Sequence, residues 1–426
     1  MSGRSSISTN LNLNDQPNKL DYLPGLDGIR AIAAFLVIST HWPNLTFSLK
    51  FGWIGVNIFF VLSGFLITRI LLNEKQKPFK SYLRTFFFKR VIRIFPVYYL
   101  YFAITATIVL CIYCFIPALE HNQIITQAMG TLKHDTPYYL TYTYNIKQNL
   151  SYALHLPRYA SEFFGHVWTL AIEEQFYLIF PFIVYFLNTA QLKKFILAII
   201  VICPLIRLWA ATIGVNVVSD RSFLGQVIYV NTFCQADALA FGAALALFDI
   251  KMRFPYRNFF AAAFLFLFAG VTCLFFLRKA GFFLVEANSL GYNFPGFWFE
   301  EKTPWSLVNI RAFYQYTLVN LLAFFLIAPA SIKKPLFPAI LQSKPLNYLG
   351  KISYGIYLFH FPLLALLKLG VSYFGDWYKI TDPPLVRTSI FLLYLGVVVL
   401  LAHLSYQYFE RRIIDKYKYK LDNGSN

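Results

Sequence analysis

Charge is scarce in this sequence. Asp, Glu, Lys and Arg make up 14% of its 426 residues, where soluble domains carry roughly a quarter. With 58% hydrophobic and 19% aromatic residues, the shortage excludes a water-soluble fold, because so much apolar surface needs lipid as its solvent. Cysteine is sparse too. Cys111, Cys114, Cys203, Cys234 and Cys273 are scattered through apolar stretches without metal-ligand spacing, which leaves them as small packing residues. Residues 1–22 are rich in Ser and Asn and lack the basic start and apolar core of a cleavable signal peptide. They read as a flexible cytoplasmic tail. No stretch is long and polar enough to form a large separate soluble domain, and no internal repeat is evident.

What the sequence does have is a series of apolar runs. Taking ~20 residues per crossing, the expected fold is an all-α polytopic transmembrane bundle of about ten spans. They fall near 28–45, 53–73, 94–117, 165–188, 194–213, 230–250, 259–277, 311–331, 352–370 and 387–408. The net charge of +18 invites a nucleic-acid reading, which the placement of the basic residues excludes. They cluster after every even-numbered span: Lys75 to Arg93, Lys193 and Lys194, Lys251 to Arg257, Lys333 to Lys351, and Arg411 to Lys420. Cytoplasmic loops carry such an excess, so both termini are expected in the cytoplasm. The membrane domain then covers 23–412, and 413–426 forms a basic cytoplasmic tail. The long opposite loop, about 118–164, holds Tyr, Asn, His and Thr, as a surface meeting sugars would.

Ionisable groups inside spans are costly and are functional candidates by default. Here they are Arg30, His41, Glu173, Glu174, Arg207, Asp237, Asp249, His360 and His403. Asp27 reads as the N-cap of the first span, with Arg30 in its first turn. Eleven helical steps from Arg30 to His41 span roughly 16 Å. An arginine at one end and a histidine at the other suit a long anionic donor whose phosphates meet Arg30 while its reactive end reaches His41. Histidine is also the commonest general base for a hydroxyl, since its pKa lies near neutrality. The competing reading of a lone intramembrane histidine is a hydrogen bond to a neighbouring helix.

Four further segments carry chemistry. Ser63 and Gly64 lie in a small-residue stretch of the second span, where either a ligand or a helix can approach closely. Arg90 and Arg93, three apart, share a helix face and suit bidentate phosphate binding, or an anchor on lipid phosphates. The fourth span begins His166-Val167-Trp168-Thr169 and carries adjacent Glu173 and Glu174. Glu173 is expected at a depth comparable to His41, where a carboxylate would orient the imidazole; the alternative is a structural salt bridge. His360 could line a donor tunnel or satisfy a backbone carbonyl freed by Pro362.

Together these segments resemble the acyltransferase-3 family of membrane O-acyltransferases. The matching pieces are Leu26–His41, Gly55–Thr68, Arg90–Leu100, Trp168–Pro181, Leu349–Pro362 and Tyr408-Phe409-Glu410-Arg411, in the family's order. The resemblance implies that His41 and Glu173 are catalytic and that Arg30, Arg90 and Arg93 bind the donor. The donor arm would run past Ser63 and Gly64, with Glu174, His360 and Trp168 as secondary candidates. It implies acyl-CoA, typically acetyl-CoA, as donor substrate rather than as a tightly bound cofactor. The acceptor would be a carbohydrate hydroxyl across the bacterial cytoplasmic membrane, and glycan-assembly proteins would be partners. Thr169 stands where serine is usual, and Arg412 where a proline often follows the arginine. Many relatives carry an added C-terminal hydrolase-like domain. Without one, transfer is expected to finish within the membrane domain or through a partner. A transporter of a lipid-linked sugar or anionic solute is the rival reading. Intramembrane His, Glu and Arg would suit it equally, although the missing repeat speaks against it.

Overall fold

The computed structural model describes residues 22–42, 52–154, 156–217, 224–248, 265, 305–331, 339–375 and 383–423. Among these, every regular element is helical. The elements are α1 (Pro24–His41), α2 (Ile54–Glu74), α3 (Phe79–Phe115), α4 (Gln123–His134), α5 (Thr136–Leu140), α6 (Tyr144–Ala153), α7 (Trp168–Phe186), α8 (Thr189–Val217), α9 (Leu224–Val230), α10 (Thr232–Leu247), α11 (Trp305–Ala330), α12 (Lys344–Lys351), α13 (Ser353–Phe374), α14 (Pro384–Ser405) and α15 (Arg411–Asn423). Each expected span other than 259–277 coincides with one of these helices. All of that span except residue 265, its Cys273 included, lies outside the described residues, as do Asp249 and the tail residues 1–21. Among the described residues, six helical segments are long and apolar enough to cross a bilayer, and two shorter apolar helices accompany them. Leu178, Ile179, Phe182 and Phe186 on α7, and Leu392, Leu393 and Leu400 on α14, are exposed. Such a belt of bare apolar side chains suits lipid and not water. The chain is an integral membrane protein.

α2 has no polar face, and residues on all its sides are buried, as befits the central helix of a bundle. It crosses α10 closely: a Cβ on Gly64 would stand 2.0 Å from the Leu239 carbonyl oxygen, and one on Gly242 would stand 1.9 Å from that of Val61. Behind this crossing, Arg207 of α8 and Asp237 of α10 pair through two parallel bonds of 2.9 and 2.8 Å, with neither side chain exposed. Arg207 also donates to the Cys234 carbonyl and to Thr317 of α11. The pair fastens three helices together, a structural use for two of the intramembrane charges.

Four expectations change. α1 begins on Pro24, whose fixed φ suits the first helical position, so Asp27 is not the N-cap; its carboxylate instead accepts bonds from Tyr22 and from Arg30, the latter at 2.7 Å. α3 starts at Phe79 instead of near 94. Its 37 residues make a rod of ~55 Å, so the basic cluster before the span is helical. The basic stretch after the last span is likewise helix α15, with the Tyr417 ring against Phe88 of α3 at 5.9 Å.

The largest change concerns the expected outer loop at 118–164. It folds back alongside α3 as α4 and α5, turns at Tyr142 and returns as α6. Hydroxyls of Tyr98 and Tyr99 donate to the carbonyls of Tyr139 and Leu140 at 2.8 and 2.9 Å, satisfying acceptors that a helix end leaves open. The Tyr142 ring stacks on Phe95 at 5.4 Å, two residues beyond Arg93. Gln175 of α7 donates to the Tyr142 carbonyl at 3.0 Å and to Asn145 at 2.9 Å, and it accepts from Thr232 at 2.6 Å. Tyr139, Tyr142, Tyr144, Asn145 and Tyr152 are buried. The residues that suggested a sugar-facing surface therefore hold a re-entrant segment inside the bundle.

Candidate active site

Arg30 lies in the second turn of α1, and His41 is the last residue of that helix. A cavity opens beside Arg30. Its walls include Arg90 and Arg93 of α3, Lys351 at the end of α12, and Glu173 and Glu174 of α7. The spacing of Arg90 and Arg93 does place both on the cavity side of α3. Arg90 sits over the Phe86 ring at 5.9 Å, and its Nε is buried with no hydrogen-bond partner among the described residues. Four cationic side chains thus meet two carboxylates in one partly buried space. An anion with several acceptor oxygens would offset their mutual repulsion and occupy their donors.

Ser63 lines the same cavity. Its hydroxyl is bonded to that of Tyr177, which donates to Glu173 at 3.2 Å. Gly64 does not line the cavity; it faces the α10 backbone, and its missing Cβ serves the crossing of α2 and α10. Trp168 packs against Tyr229 at 4.6 Å and Phe60 at 6.3 Å and also lies off the cavity wall.

The expected bond between Glu173 and His41 is not formed. Glu173 stands seven residues beyond His166, or roughly 10 Å down the helix, with the arginines. It is His166, in the 3-10 turn Gly165–Val167 that leads into α7, that reaches the level of His41. There three histidines gather. His41 Nδ1 is 2.8 Å from the Val37 carbonyl oxygen and 3.3 Å from His360 Nε2. The His166 and His360 rings stand edge to face at 5.0 Å. Phe361 packs on both His41 and His166, at 4.9 and 5.0 Å.

Tyr357 joins the two halves. Its ring lines the cavity, its hydroxyl bonds Thr169 at 2.5 Å and the His166 carbonyl at 2.6 Å, and its own carbonyl lies 2.6 Å from His360 Nδ1. The cavity therefore runs from the arginines to Tyr357 and Thr169, with the histidines directly behind. His166, Lys351, Tyr177, Tyr357 and Tyr354, which also lines the cavity, all escaped sequence reasoning. For Tyr357 a signal existed, because it stands three residues before His360 and so shares its helix face. Among the described residues, no group of three His, Cys, Asp or Glu is placed to hold a metal ion.

Comparison with known proteins adds ancestry to this geometry. A family model described as an acyltransferase domain matches residues 23–403. The chain is 28% identical over 402 residues to O-acetyltransferase OatA of Staphylococcus aureus, which covers 93% of this chain and 58% of the relative. It is 30% identical over 397 residues to peptidoglycan O-acetyltransferase OatA of Listeria monocytogenes, covering 92% of this chain and 56% of the relative. The chain thus spans little more than half the length of these relatives. No solved structure matches it.

Proposed function

Since the chain belongs to the acyltransferase-3 family, we propose that it is a membrane O-acyltransferase of a bacterial cytoplasmic membrane. It moves an acyl group, most simply acetyl, from cytoplasmic acyl-CoA to a hydroxyl of an extracytoplasmic carbohydrate. The relatives' names make O-acetylation the first chemistry to test and peptidoglycan the first acceptor.

The observation that carries the reading is the cavity itself. Arg30, Arg90, Arg93 and Lys351 converge at one end, and the other end stops at the wall behind which His41 stands. In the topology set by the basic clusters, the arginine end faces the cytoplasm and the histidine end faces outward. A long, flexible, multiply phosphorylated thioester fits that polarity. Its phosphates meet the guanidinium forks, and its arm lies along Ser63 and Thr169. His41 takes the proton of a carbohydrate hydroxyl arriving from outside. The oxygen attacks the thioester carbonyl, the C–S bond breaks, and the CoA thiolate leaves and is protonated. Glu173, bonded to Tyr177, completes the donor cavity, and its carboxylate sets the local charge.

Purified protein in nanodiscs, given radiolabelled acetyl-CoA and a muropeptide or oligosaccharide acceptor, should release free thiol and label the acceptor in equal amounts. A transporter of lipid-linked sugar or anionic solute would release none. Mass spectrometry of envelope glycans from a strain lacking the protein should show the loss of one acetyl per modified residue.

A further inference from the structure

The hydrogen bonds of the histidine cluster fix the protons of two imidazoles. The Tyr357 carbonyl can only accept, so at 2.6 Å it requires a proton on His360 Nδ1. A neutral His360 then carries its lone pair on Nε2, which lies 3.3 Å from His41 Nδ1. The Val37 carbonyl, 2.8 Å from that same Nδ1, also only accepts. His41 must therefore be protonated on Nδ1, with one N–H shared between Val37 and His360. Its lone pair falls on Nε2. The two states fit each other, because a proton on His360 Nε2 would set two N–H groups against each other.

We propose that His360 is the positioning residue of the site, holding His41, together with the Val37 carbonyl, in the tautomer whose Nε2 accepts the hydroxyl proton and stabilising the imidazolium that results. In serine hydrolases a carboxylate does this; here a neutral imidazole does it, and no second charge has to be buried in the membrane. The sequence reading gave that task to Glu173, which the fold keeps with the arginines. The surroundings hold His360 in place. Its side chain is fully buried, and Tyr394 of α14 donates to its carbonyl at 2.7 Å. The titratable groups facing the pair are His166 at the start of α7, Tyr357 beside His360, Tyr394, and Tyr101 of α3 behind His166. Lys368, close enough for its charge to act on His41, is paired with Glu162 at 2.5 Å.

The inference rests on His41 being the base, so the experiment tests the two separately. Thiol release by nanodisc-embedded protein is followed against pH for wild type, His41→Ala, His360→Phe and His360→Gln. His41→Ala should be inactive; retained turnover would remove the base assignment. His360→Phe keeps a ring but no acceptor. It should lower kcat roughly tenfold or more with donor KM unchanged. Its acid limb should also move to lower pH, since His41, left with the Val37 carbonyl as its one remaining acceptor of these two, gains a proton less readily. His360→Gln sets an amide oxygen where Nε2 stands and should restore both rate and limb. If the Phe variant does not accumulate in the membrane, His360→Leu against His360→Gln makes the same comparison. An acid limb that stays in place in the Phe or Leu variant, whatever the rate, would overturn the proposal and leave His360 a packing residue.

Discussion

Tyr177 donates to Glu173 at 3.2 Å and is bonded on its other side to Ser63, so the carboxylate is tied into the wall of the donor cavity. Its field acts on the arginines, and it makes no bond to His41. The Glu173→Gln variant keeps an oxygen to accept from Tyr177 but removes the charge. It should fold, alter donor KM, and leave the acid limb of the pH profile where wild type has it. Kinetics of thiol release across pH check this; a moved limb would couple Glu173 to His41 after all.

Arg90 and Arg93 should resist replacement by lysine. A guanidinium presents a planar fork to phosphate, and an ammonium offers a point charge. Loss of one charge-assisted hydrogen bond costs about 1.5–3 kcal/mol, so Arg90→Lys or Arg93→Lys should weaken acyl-CoA binding roughly ten- to hundredfold. Titration calorimetry on purified variants gives the number. Wild-type affinity in both would make these arginines topology anchors and nothing more.

Much of this arrangement was legible in the sequence because it is local. The apolar runs marked the helices, and the spacing of Arg90 and Arg93 put them on one face. The fixed rise of a helix set Arg30 and His41 at opposite ends of α1. What the sequence hid depends on contacts between distant segments. His41 and His360 meet across 319 positions, and no periodicity signals such a pairing. The depth of Glu173 was misjudged because α7 is preceded by a short turn that carries His166 to the level of His41. The stretch 118–164 has the polarity of a loop, yet its carbonyls at Tyr139 and Leu140 accept from tyrosines of α3, and its Asn145 side chain bonds Gln175 of α7 and Thr232 of α10.

The re-entrant segment makes its own topology test. In a cysteine-free background, a cysteine at Ala118, where the chain is exposed, should react with an impermeant maleimide added from outside. One at Lys77 should react only after the membrane is opened. One at Tyr139 should stay unlabelled from either side, because that residue is buried in the bundle. Labelling at Tyr139 from outside in folded protein would return the segment to a surface loop.

The Arg207–Asp237 pair should behave as structure and not as chemistry. Asp237→Asn leaves a buried guanidinium without its counter-charge, which costs about 3–5 kcal/mol. The thermal midpoint of the extracted protein should fall sharply, while acyl-CoA affinity in the surviving fraction stays at the wild-type value. A joint replacement, Arg207→Met with Asp237→Leu, removes both charges and should recover much of the stability. A double variant no more stable than Asp237→Asn would show that Thr317 and the Cys234 carbonyl depend on the guanidinium itself.

Gly64 separates a donor-binding role from a packing role. A methyl group there would stand 2.0 Å from the Leu239 carbonyl oxygen, and one on Gly242 would stand 1.9 Å from that of Val61. Both obstacles are backbone on a neighbouring helix, so no side-chain rotation relieves them; α2 and α10 must move apart. Overpacking of this kind typically costs about 1–3 kcal/mol. Gly64→Ala and Gly242→Ala should therefore lower the thermal midpoint by similar amounts, since they press on the same crossing from its two sides. Their combination should cost less than the sum, because the first substitution already opens the gap that the second needs. Ser63 is the neighbour that lines the cavity, so Ser63→Ala should instead leave the midpoint nearly unchanged and affect donor KM. The opposite result, with Gly64→Ala as stable as wild type but weak in donor binding, would place the acyl-CoA arm against Gly64.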